Sequence, residues 1–349
     1  MINKVFKALR HVNAATISPT KLLNRSRLTK SYSERSSRIK GFPKILQIET
    51  TSACSLDCIM CPRKDMTRKS EHMSLDLFRK IIDEARGKAE VAILHLMGDP
   101  LLNPKIFEMI RYCKEAGIRN VVSTNGVVLS EEASRKLYES GLDIILLSFD
   151  GATKEVFESV RVGANFEKVT ASYRRFLEMQ EQFEHKIRAI VQMIRFKTTE
   201  SEVKDFYQLW DGVNADIIVK PFTHWQGNQE DINELSHSID EKLNTSLCDR
   251  AWQWLTVISD GSVIPCCRDY DATIRFGNLK DNSIEEIWNG EGFREFRRLH
   301  ALGRSNHEIC KDCDYQSLID GNFVAMAGTT ILDSYTLLST MYDLHYIDE

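Results

Sequence analysis

An alternation of two hydrophobic periods restricts the fold of this chain between Lys44 and about Cys248. Six short apolar runs are separated by longer amphipathic stretches. Strand–helix units in succession favour a parallel sheet with right-handed crossovers, either open or closed into a barrel. We therefore predict an α/β fold. The predicted strands are Ile45–Thr50, Val91–Met97, Ile118–Ser123, Leu142–Ser148, Ile187–Ile194 and Asp216–Lys220.

Residues at the ends of the predicted helices support this pattern. Ser74 and Ser130 can each cap a helix, and Thr199 with Glu202 has the spacing of a capping box. Glycine is common just past the last turn of a helix. Glycines occupy three such positions, Gly87, Gly117 and Gly141.

The pattern changes after the sixth unit. Trp254–Ser259 and Ser262–Cys267 flank Asp260–Gly261, which is a strong two-residue signal for a β-hairpin. A helix should begin after Ser283, because Glu286 completes a capping box with it. We predict a small α+β domain in this part of the chain.

Charge is unevenly distributed along the chain. The 46 Lys and Arg against 50 Asp and Glu give a net charge of −4, which argues against a generally basic nucleic-acid binder. The first forty residues nevertheless hold ten basic side chains and one acid, whereas residues 312–349 hold seven acids and no base. We predict a solvated basic arm over 1–43 and an acidic tail over 316–349. The more specific alternative is that Met1–Val12 forms an amphipathic helix that binds an anionic membrane or an anionic partner.

Nine cysteines are an odd number in a chain that is not small, has no signal-peptide pattern and has no apolar run long enough to span a bilayer. Metal ligation or catalysis explains them better than a disulfide framework.

Cys54, Cys58 and Cys61 form C-x3-C-x2-C directly after the first predicted strand. Three thiolates on one loop can bind three corners of a [4Fe–4S] cluster and leave the fourth iron open. A structural zinc site would require four closed ligands.

A second set of cysteines comes from three separated segments. Four thiolates of this kind suit either zinc or a fully ligated [4Fe–4S] cluster. Cys113 lies within a predicted helix and is most simply a buried packing residue. The second set consists of Cys248, Cys266, Cys310 and Cys313.

The first cysteine loop resembles the signature of the radical S-adenosylmethionine (SAM) enzymes. Met97-Gly98-Asp99-Pro100 is similar to their Gly-Gly-Glu-Pro loop, which binds the SAM amino group, although Met97 and Asp99 depart from it. Met60 also departs, because the family often has an aromatic residue there. The strand ends at Ser123-Thr124-Asn125-Gly126 and Ser148-Phe149-Asp150-Gly151 resemble SAM-contacting segments. The resemblance implies SAM contacts at Gly98, Asp99, Pro100, Ser123, Thr124, Asn125, Ser148, Asp150 and Arg161.

The later cysteines extend the resemblance. Cys248-x12-Gly261-x4-Cys266, followed by Cys310-x2-Cys313, resembles the SPASM/twitch extension of the same enzymes. No cysteine follows Cys313, so the shorter, single-cluster type is implied. The resemblance thus implies a partial (β/α)6 TIM-like barrel over residues 44–247 and a small α+β auxiliary-cluster domain over 248–315.

The resemblance also implies the chemistry. The cofactors would be a SAM-binding [4Fe–4S] cluster, an auxiliary [4Fe–4S] cluster and SAM, with a reductase or flavodoxin-type electron donor and a reducing cytoplasm as the location. SAM would bind the open iron and be cleaved to a 5′-deoxyadenosyl radical. The auxiliary cluster would accept an electron from the substrate radical or act as a structural staple.

Residues of the late strands are the candidates for substrate contacts. Gln192 should face the barrel mouth, and further candidates near the end of strand six are Lys220, Phe222, His224 and Trp225. His224 is a candidate general base. Cys267 is a candidate hydrogen-atom donor, an alternative ligand to Cys266, or an inert residue, since strand alternation should turn it away from Cys266.

Three functions remain open from the sequence. The first is oxidation or epimerisation of an alcohol carbon in a small polyol or sugar-like substrate, because the single auxiliary cluster resembles that of aminoglycoside-pathway radical SAM dehydrogenases and epimerases. The second is a peptide-modifying maturase. The third is a non-catalytic metal-binding module.

Overall fold

The computed structural model of this protein describes residues 18–222, 225, 230–235, 247–311 and 313. Three sequence-based predictions lie outside the described residues. They are the amphipathic helix at Met1–Val12, the candidate base His224 and the acidic tail over 316–349.

All six predicted strands form, and each pairs in parallel with the next along the chain. A seventh strand pairs in parallel with the other side of the first, and two short antiparallel strands follow it. Within the described residues the order is therefore β6-β5-β4-β3-β2-β1-β7-β8-β9. The predicted α/β class is confirmed. The strands are β1 (Ile45–Ile48), β2 (Val91–Ile93), β3 (Arg119–Thr124), β4 (Ile144–Ser148), β5 (Arg188–Arg195), β6 (Asp216–Pro221), β7 (Trp254–Val257), β8 (Ser262–Ile264) and β9 (Gly277–Asn278).

Helices connect the parallel strands, and most of the predicted end signals are present. Ser74 and Ser130 each accept a hydrogen bond from a first-turn amide. The predicted stop glycines have positive φ angles, a conformation that favours glycine. The helices are α1 (Pro19–Ser33), α2 (Leu75–Ala85), α3 (Ile106–Glu115), α4 (Glu131–Glu139), α5 (Lys154–Val160), α6 (Phe166–Met179), α7 (Val203–Leu209), α8 (Glu230–Asn233), α9 (Arg250–Gln253), α10 (Ile284–Trp288) and α11 (Glu291–Leu302).

The capping box predicted at Thr199 is wrong. Thr199 Oγ1 instead donates to the Ile194 carbonyl at 2.7 Å, and a short 3₁₀ turn precedes α7. The carboxylate of Glu202 accepts from the backbone amides of Ala152 and Thr153, at 2.5 and 3.3 Å. The two side chains therefore stabilise different loops, because tertiary partners compete with a local cap.

The inner face of the curved sheet has an apolar floor and a polar rim. Its floor is one cluster formed by Ile45, Val91, Val121, Ile144, Ile190, Ile218 and Trp254. Side chains alternate along a strand, so the residue two positions further on faces the same side. At those positions Ser123, Gln192 and Lys220 are partly exposed, as is Ser148 at the end of β4. We call this space, open at the carboxyl ends of β1–β6, the lumen.

Helix α1 packs across the opposite end of the strands. Its Asn24 side chain donates to the Phe42 carbonyl at 2.9 Å and accepts from the Phe42 amide at 2.7 Å. Its Arg25 pairs with Glu90, just before β2, and Tyr32 packs edge-on against Trp252 at 5.6 Å between ring centroids. Part of the segment expected to be a solvated arm is therefore a packed helix.

The hairpin predicted around Asp260–Gly261 is confirmed, since β7 and β8 pair in antiparallel fashion through Thr256 and Ile264. The capping box of Ser283 and Glu286 also forms. Strand β7 extends the main sheet, and Leu255, Ile284 and further residues of this part belong to the same hydrophobic core as Leu46. The second cysteine region is thus continuous with the barrel in both sheet and core.

Candidate functional site

The first cysteine loop lies at the carboxyl end of β1, at the mouth of the lumen. Its backbone pairs with the segment after α5, because Asp57 and Ile59 donate amides to Val162 and Val160 at 3.0 Å each. Arg161, which lies between those two acceptors, reaches 3.8 Å from the Cys58 sulfur. The loop and Arg161 are therefore positioned by the same backbone contacts.

The three thiols of this loop lie close together, and Cys54 influences the ionisation of Cys58 and Cys61. Burial raises the pKa of Cys58, and burial also raises the pKa of Cys61 to about 11, with further contributions from the neighbouring Cys54 and Cys58. Asn125 Nδ2, at the end of β3, donates to the Cys54 sulfur at 3.5 Å. Cys58 and Cys61 therefore stay protonated on their own, whereas metal coordination deprotonates a thiol outright.

The donor set fits an iron–sulfur cluster better than a single ion. Among the described residues, no three His, Cys, Asp or Glu side chains converge closely enough to hold one metal ion. A [4Fe–4S] cube takes each thiolate at a separate iron, so its ligands need not converge on one point. Cys54, Cys58 and Cys61 are three such donors on one loop, and they fit a cluster with one open corner.

Asp99 joins three elements at the mouth. Its amide donates to the Ala53 carbonyl in the cysteine loop at 2.9 Å. Its carboxylate accepts from Thr124 Oγ1 and the Asn125 amide at 2.9 Å each, and from the Leu101 amide at 3.0 Å. Burial raises the pKa of Asp99, while these hydrogen bonds oppose the rise. A carboxylate has about four acceptor positions, so one position remains for a ligand such as the amino group that the resemblance implies.

Gly98 permits the close approach of the two loops. A Cβ at this position would lie within 2.8 Å of backbone atoms of Thr51, Ser52 and Ala53. We expect Gly98→Ala to displace the loop, at a cost of about 1–3 kcal/mol in stability, and to weaken SAM binding by about tenfold or more. Equilibrium dialysis of the reconstituted protein against SAM measures the affinity.

Gly87→Ala is the matched control for this prediction. Gly87 has a φ of +72°, and no atom of the described residues lies within 4 Å of the position that a Cβ would take, so the change costs backbone strain alone. We expect a loss of about 1 kcal/mol in stability and the wild-type affinity for SAM. Equal SAM affinities for Gly98→Ala and wild type would show that the loop does not contact SAM.

Asp150 and Arg161 form a buried ion pair beside the cysteine loop. Asp150 also accepts from the Ile194 amide at 2.6 Å, which fixes the carboxylate between β4 and β5. Burial alone would lower the pKa of Arg161, but the charge of Asp150 outweighs burial and raises this pKa. Arg161 therefore stays charged beside Cys58, where a ligand carboxylate could share its guanidinium.

A chain of hydrogen bonds crosses the lumen from β3 to β6. Ser123 Oγ lies 3.3 Å from Ser148 Oγ, and Gln192 Nε2 donates to Ser148 Oγ at 3.0 Å. Lys220 Nζ donates to Gln192 Oε1 at 3.1 Å. The sequence predicted that Ser123, Ser148 and Gln192 would face the mouth, and the structure connects them to Lys220. We call these four residues the polar chain.

Two other residues that follow β6 contact the cysteine loop. Trp225 Nε1 donates to the Met60 carbonyl at 2.8 Å. Phe222 is buried in a cluster with Leu56 and Cys58. Both had been expected to contact substrate, and these contacts point instead to support of the cysteine loop.

The second cysteine set is brought together from its three segments. Burial raises the pKa of Cys248 to about 12, with Cys313 as a neighbour, and burial raises the pKa of Cys310, with Cys248 and Cys313 as neighbours. Cys266 also interacts with Cys310 and Cys313. The Arg268 amide donates to the Cys266 sulfur at 3.4 Å, a contact of the kind that tunes cluster sulfurs.

Cys267 differs from its prediction. Strand β8 ends at Ile264, so Cys266 and Cys267 lie in the turn beyond it and strand alternation does not separate them. Their thiols interact directly, and Arg250 donates to the Cys267 sulfur at 3.5 Å. Cys267 thus lies beside the second cysteine set.

Sequence reasoning missed two residues with buried polar atoms at the site. Glu49 directly follows β1 and is fully buried, and His95 follows β2 with its Nδ1 atom buried. An acid at the end of an apolar strand is the signal that could have revealed Glu49, because a buried charge requires a partner. No local pattern distinguishes His95 from an ordinary loop histidine.

Two family models match this chain. The model of the radical SAM superfamily matches residues 48–209, and the model of an iron–sulfur cluster-binding domain matches residues 248–314. A curated relative, the tungsten-containing aldehyde ferredoxin oxidoreductase cofactor-modifying protein of Pyrococcus furiosus, is 26% identical over 319 residues, which is 79% of this chain and 89% of that protein.

Solved structures share the fold. BtrN in complex with AdoMet and 2-DOIA has a TM-score of 0.52 at 19% identity, over 78% of this chain and 93% of that one. Streptococcus suis SuiB bound to S-adenosylmethionine has a TM-score of 0.63 at 14% identity, over 85% of this chain and 78% of that one. The predicted partial barrel with an iron–sulfur region after it is therefore confirmed. In the part of the chain that the structure describes, no helix is both long and apolar enough to cross a membrane.

Proposed function

The chain belongs to the radical SAM superfamily and carries a C-terminal iron–sulfur (SPASM) domain, and we propose that it oxidises or epimerises an alcohol carbon of a small polyol or sugar-like substrate. It is a radical SAM enzyme whose cofactors are SAM, a SAM-binding [4Fe–4S] cluster and an auxiliary iron–sulfur cluster. When bound, these groups supply a 5′-deoxyadenosyl radical as the hydrogen-abstracting agent.

The polar chain is the observation that carries this proposal. Its hydroxyl, amide and ammonium groups cross the lumen above an apolar floor. Lumen-facing residues of this kind can hydrogen-bond several hydroxyls of one small molecule and fix which carbon faces the cysteine loop. An apolar substrate would leave the further donors and acceptors of these groups, which do not bond within the polar chain, without partners, which is costly.

The residues take proposed roles in this reaction. Cys54, Cys58 and Cys61 would hold the SAM-binding cluster, and the second cysteine set would hold the auxiliary cluster. Asp99 and Arg161 would orient the amino and carboxylate groups of SAM, together with the neighbouring strand ends, Gly98, Pro100, Ser123, Thr124, Asn125, Ser148 and Asp150. We keep residues 44–247 and 248–315 as the two functional units, and a reductase or flavodoxin-type protein as the electron donor.

Oxidation and epimerisation share their first step. A hydrogen atom leaves the substrate carbon and becomes part of 5′-deoxyadenosine. In oxidation the substrate radical would then lose one proton to a base, for which His224 is our candidate, and one electron to the auxiliary cluster, which gives a carbonyl. In epimerisation the radical would receive a hydrogen atom on the opposite face, and Cys267 is our candidate donor for that atom. One electron from the electron donor and one proton from solvent would then restore the Cys267 thiol.

Isotope transfer tests the proposal directly. The reconstituted protein, dithionite and SAM are incubated without oxygen with carbon-deuterated inositols, aminocyclitols and hexoses. We expect deuterium to move from one of these compounds into 5′-deoxyadenosine. A carbonyl product then indicates oxidation, whereas uptake of solvent deuterium into recovered substrate indicates epimerisation. Absence of 5′-deoxyadenosine from fully reconstituted protein would contradict the assignment as an active enzyme.

A peptide-modifying role is the second candidate. The specific observation in its favour is the fold likeness to SuiB, which has also been solved bound to its precursor peptide SuiA, at a TM-score of 0.61. In the isotope experiment, deuterium transfer from deuterated peptides and from none of the polyols would favour this role.

A further inference from the structure

Lys220 places a positive charge inside the lumen. It lies near the carboxyl end of β6, where it pairs with Ile194 of the neighbouring strand β5. Ile218, two residues earlier, belongs to the apolar floor, so Lys220 faces the same interior one step nearer the mouth. The side chain is partly exposed, and among the described residues β6 is the edge strand of the sheet. The ammonium group is therefore reachable from the lumen but surrounded by protein.

The described residues leave this charge without an acid partner. Lys220 Nζ donates to Gln192 Oε1, which is a neutral amide, and no described carboxylate lies within ion-pair distance of it. The nearby carboxylate of Asp150 is paired with Arg161. An ammonium group has three donors, and the described residues occupy one of them, through the bond to Gln192.

His95 does not balance the charge. Burial, followed by the charge of Lys220, lowers the pKa of His95 to about 3, so the ring is neutral at physiological pH. Its Nδ1 atom is buried and has no hydrogen-bond partner within the described residues. Burial likewise lowers the pKa of Lys220, while the charge of Asp150, which is itself paired with Arg161, opposes the fall.

We infer that Lys220, with Gln192 and His95 beside it, forms a subsite for an anionic oxygen group of the substrate, a carboxylate or a phosphate. This inference rests on the proposed function, because it places a small polar substrate in the lumen. An anion would accept hydrogen bonds from the other donors of Lys220 and compensate its charge. The substrate class becomes a polyol or sugar that carries an acidic group.

SAM also carries a carboxylate, and the geometry separates the two sources. Arg161 lies 3.8 Å from the Cys58 sulfur and is thus at the cysteine loop. Lys220 lies at the other end of the polar chain, beyond Ser148 and Gln192. We therefore assign the carboxylate of SAM to Arg161 and the anionic group of the substrate to Lys220.

Phosphate binding to the SAM-saturated holoenzyme tests the inference. Radiolabelled inorganic phosphate is the probe, and equilibrium dialysis without oxygen is the measurement. We expect wild type to bind a single phosphate and Lys220→Met to bind it at least about tenfold more weakly. Lys105→Met is the matched control, because it removes the same charge from an exposed lysine that pairs with Glu108, and it should bind phosphate like wild type.

A second variant keeps the lysine. Gln192→Glu places a carboxylate at the atom that now accepts from Lys220, so the charge is compensated internally and phosphate binding should again fall. Circular dichroism melting identifies any variant that fails to fold, and the two variants then serve as independent tests.

Two results would overturn the inference. Equal phosphate affinity in wild type and Lys220→Met would show that the lysine holds no anion. Phosphate that binds only without SAM, with weaker SAM binding in Lys220→Met, would assign the lysine to SAM. Formation of 5′-deoxyadenosine by wild type is measured in parallel, so that failure of the proposed function is distinguishable from failure of this subsite.

Discussion

Replacing Cys58 with alanine is expected to abolish formation of 5′-deoxyadenosine from SAM and dithionite. The reason is that the proposed cluster would keep two protein ligands instead of three, and one of its irons would lose its thiolate. Iron bound after anaerobic reconstitution should fall from about eight to about four atoms per chain, since the auxiliary site is untouched. Iron analysis, the absorbance of the brown protein and chromatographic detection of 5′-deoxyadenosine are the measurements.

Cys113→Ala is the matched control, because Cys113 is also a buried cysteine but lies in α3, away from both sets. It should keep all of its iron and its activity, with a small loss of stability from the smaller side chain. Wild-type iron content in Cys58→Ala would contradict the proposed ligand set. Loss of iron in Cys113→Ala would show that the iron content reflects the stability of the fold and not the loss of a cluster ligand.

The sequence predicted those features of this fold that arise from local patterns. Apolar runs of strand length placed β1–β6, because a buried parallel strand must be apolar on both faces. The thiols at Cys54, Cys58 and Cys61 could be identified because their spacing on one loop is itself the chemical requirement. Caps at Ser74 and Ser130 were predictable for the same reason, since donor and acceptor are three residues apart.

Features that depend on distant partners were not predictable in this way. In sequence, helix α1 looks like part of a solvated basic arm. In the structure, Asn24 hydrogen-bonds the Phe42 carbonyl and the Tyr32 ring packs against Trp252. Strand β7 joins β1 across the sheet, so the auxiliary region is not separated from the barrel. The partner of a charged residue such as Lys220 is likewise set by register between strands and not by its neighbours in sequence.

The buried ion pair of Glu49 and Arg68 is a second feature set by distant contacts. Arg68 donates to both oxygens of Glu49, at 2.7 and 2.6 Å, and its Nε donates to the Tyr270 carbonyl at 2.8 Å. Ser259 Oγ, just after β7, donates to Glu49 Oε1 at 3.0 Å. Asp271 accepts from the Arg68 amide at 3.0 Å. These contacts tie the segment after the first cysteine loop to the turn after Cys266.

Removing one charge of this pair should therefore destabilise the protein strongly. Glu49 is fully buried and the Arg68 side chain is 7% exposed, so Glu49→Gln leaves an uncompensated guanidinium in the interior. We expect a loss of about 3–5 kcal/mol, which for a chain of this size lowers the melting temperature of the holoenzyme by about 4–7 °C. Scanning calorimetry without oxygen is the measurement, and Glu132→Gln, in an exposed pair with Lys136, should melt like wild type.

The double variant Glu49→Gln with Arg68→Gln decides whether the charge imbalance is the cause. Both charges are then absent, and the two amides can still hydrogen-bond, so the double variant should be more stable than Glu49→Gln alone. If the losses simply add, the pair contributes through packing at each position and not through compensation. Hydrogen exchange of residues 66–72 gives a local measurement, because that segment is held to Tyr270 and Asp271 through Arg68. Faster exchange there in Glu49→Gln, and not in Glu132→Gln, is the result expected if this ion pair holds the two cysteine sites in register.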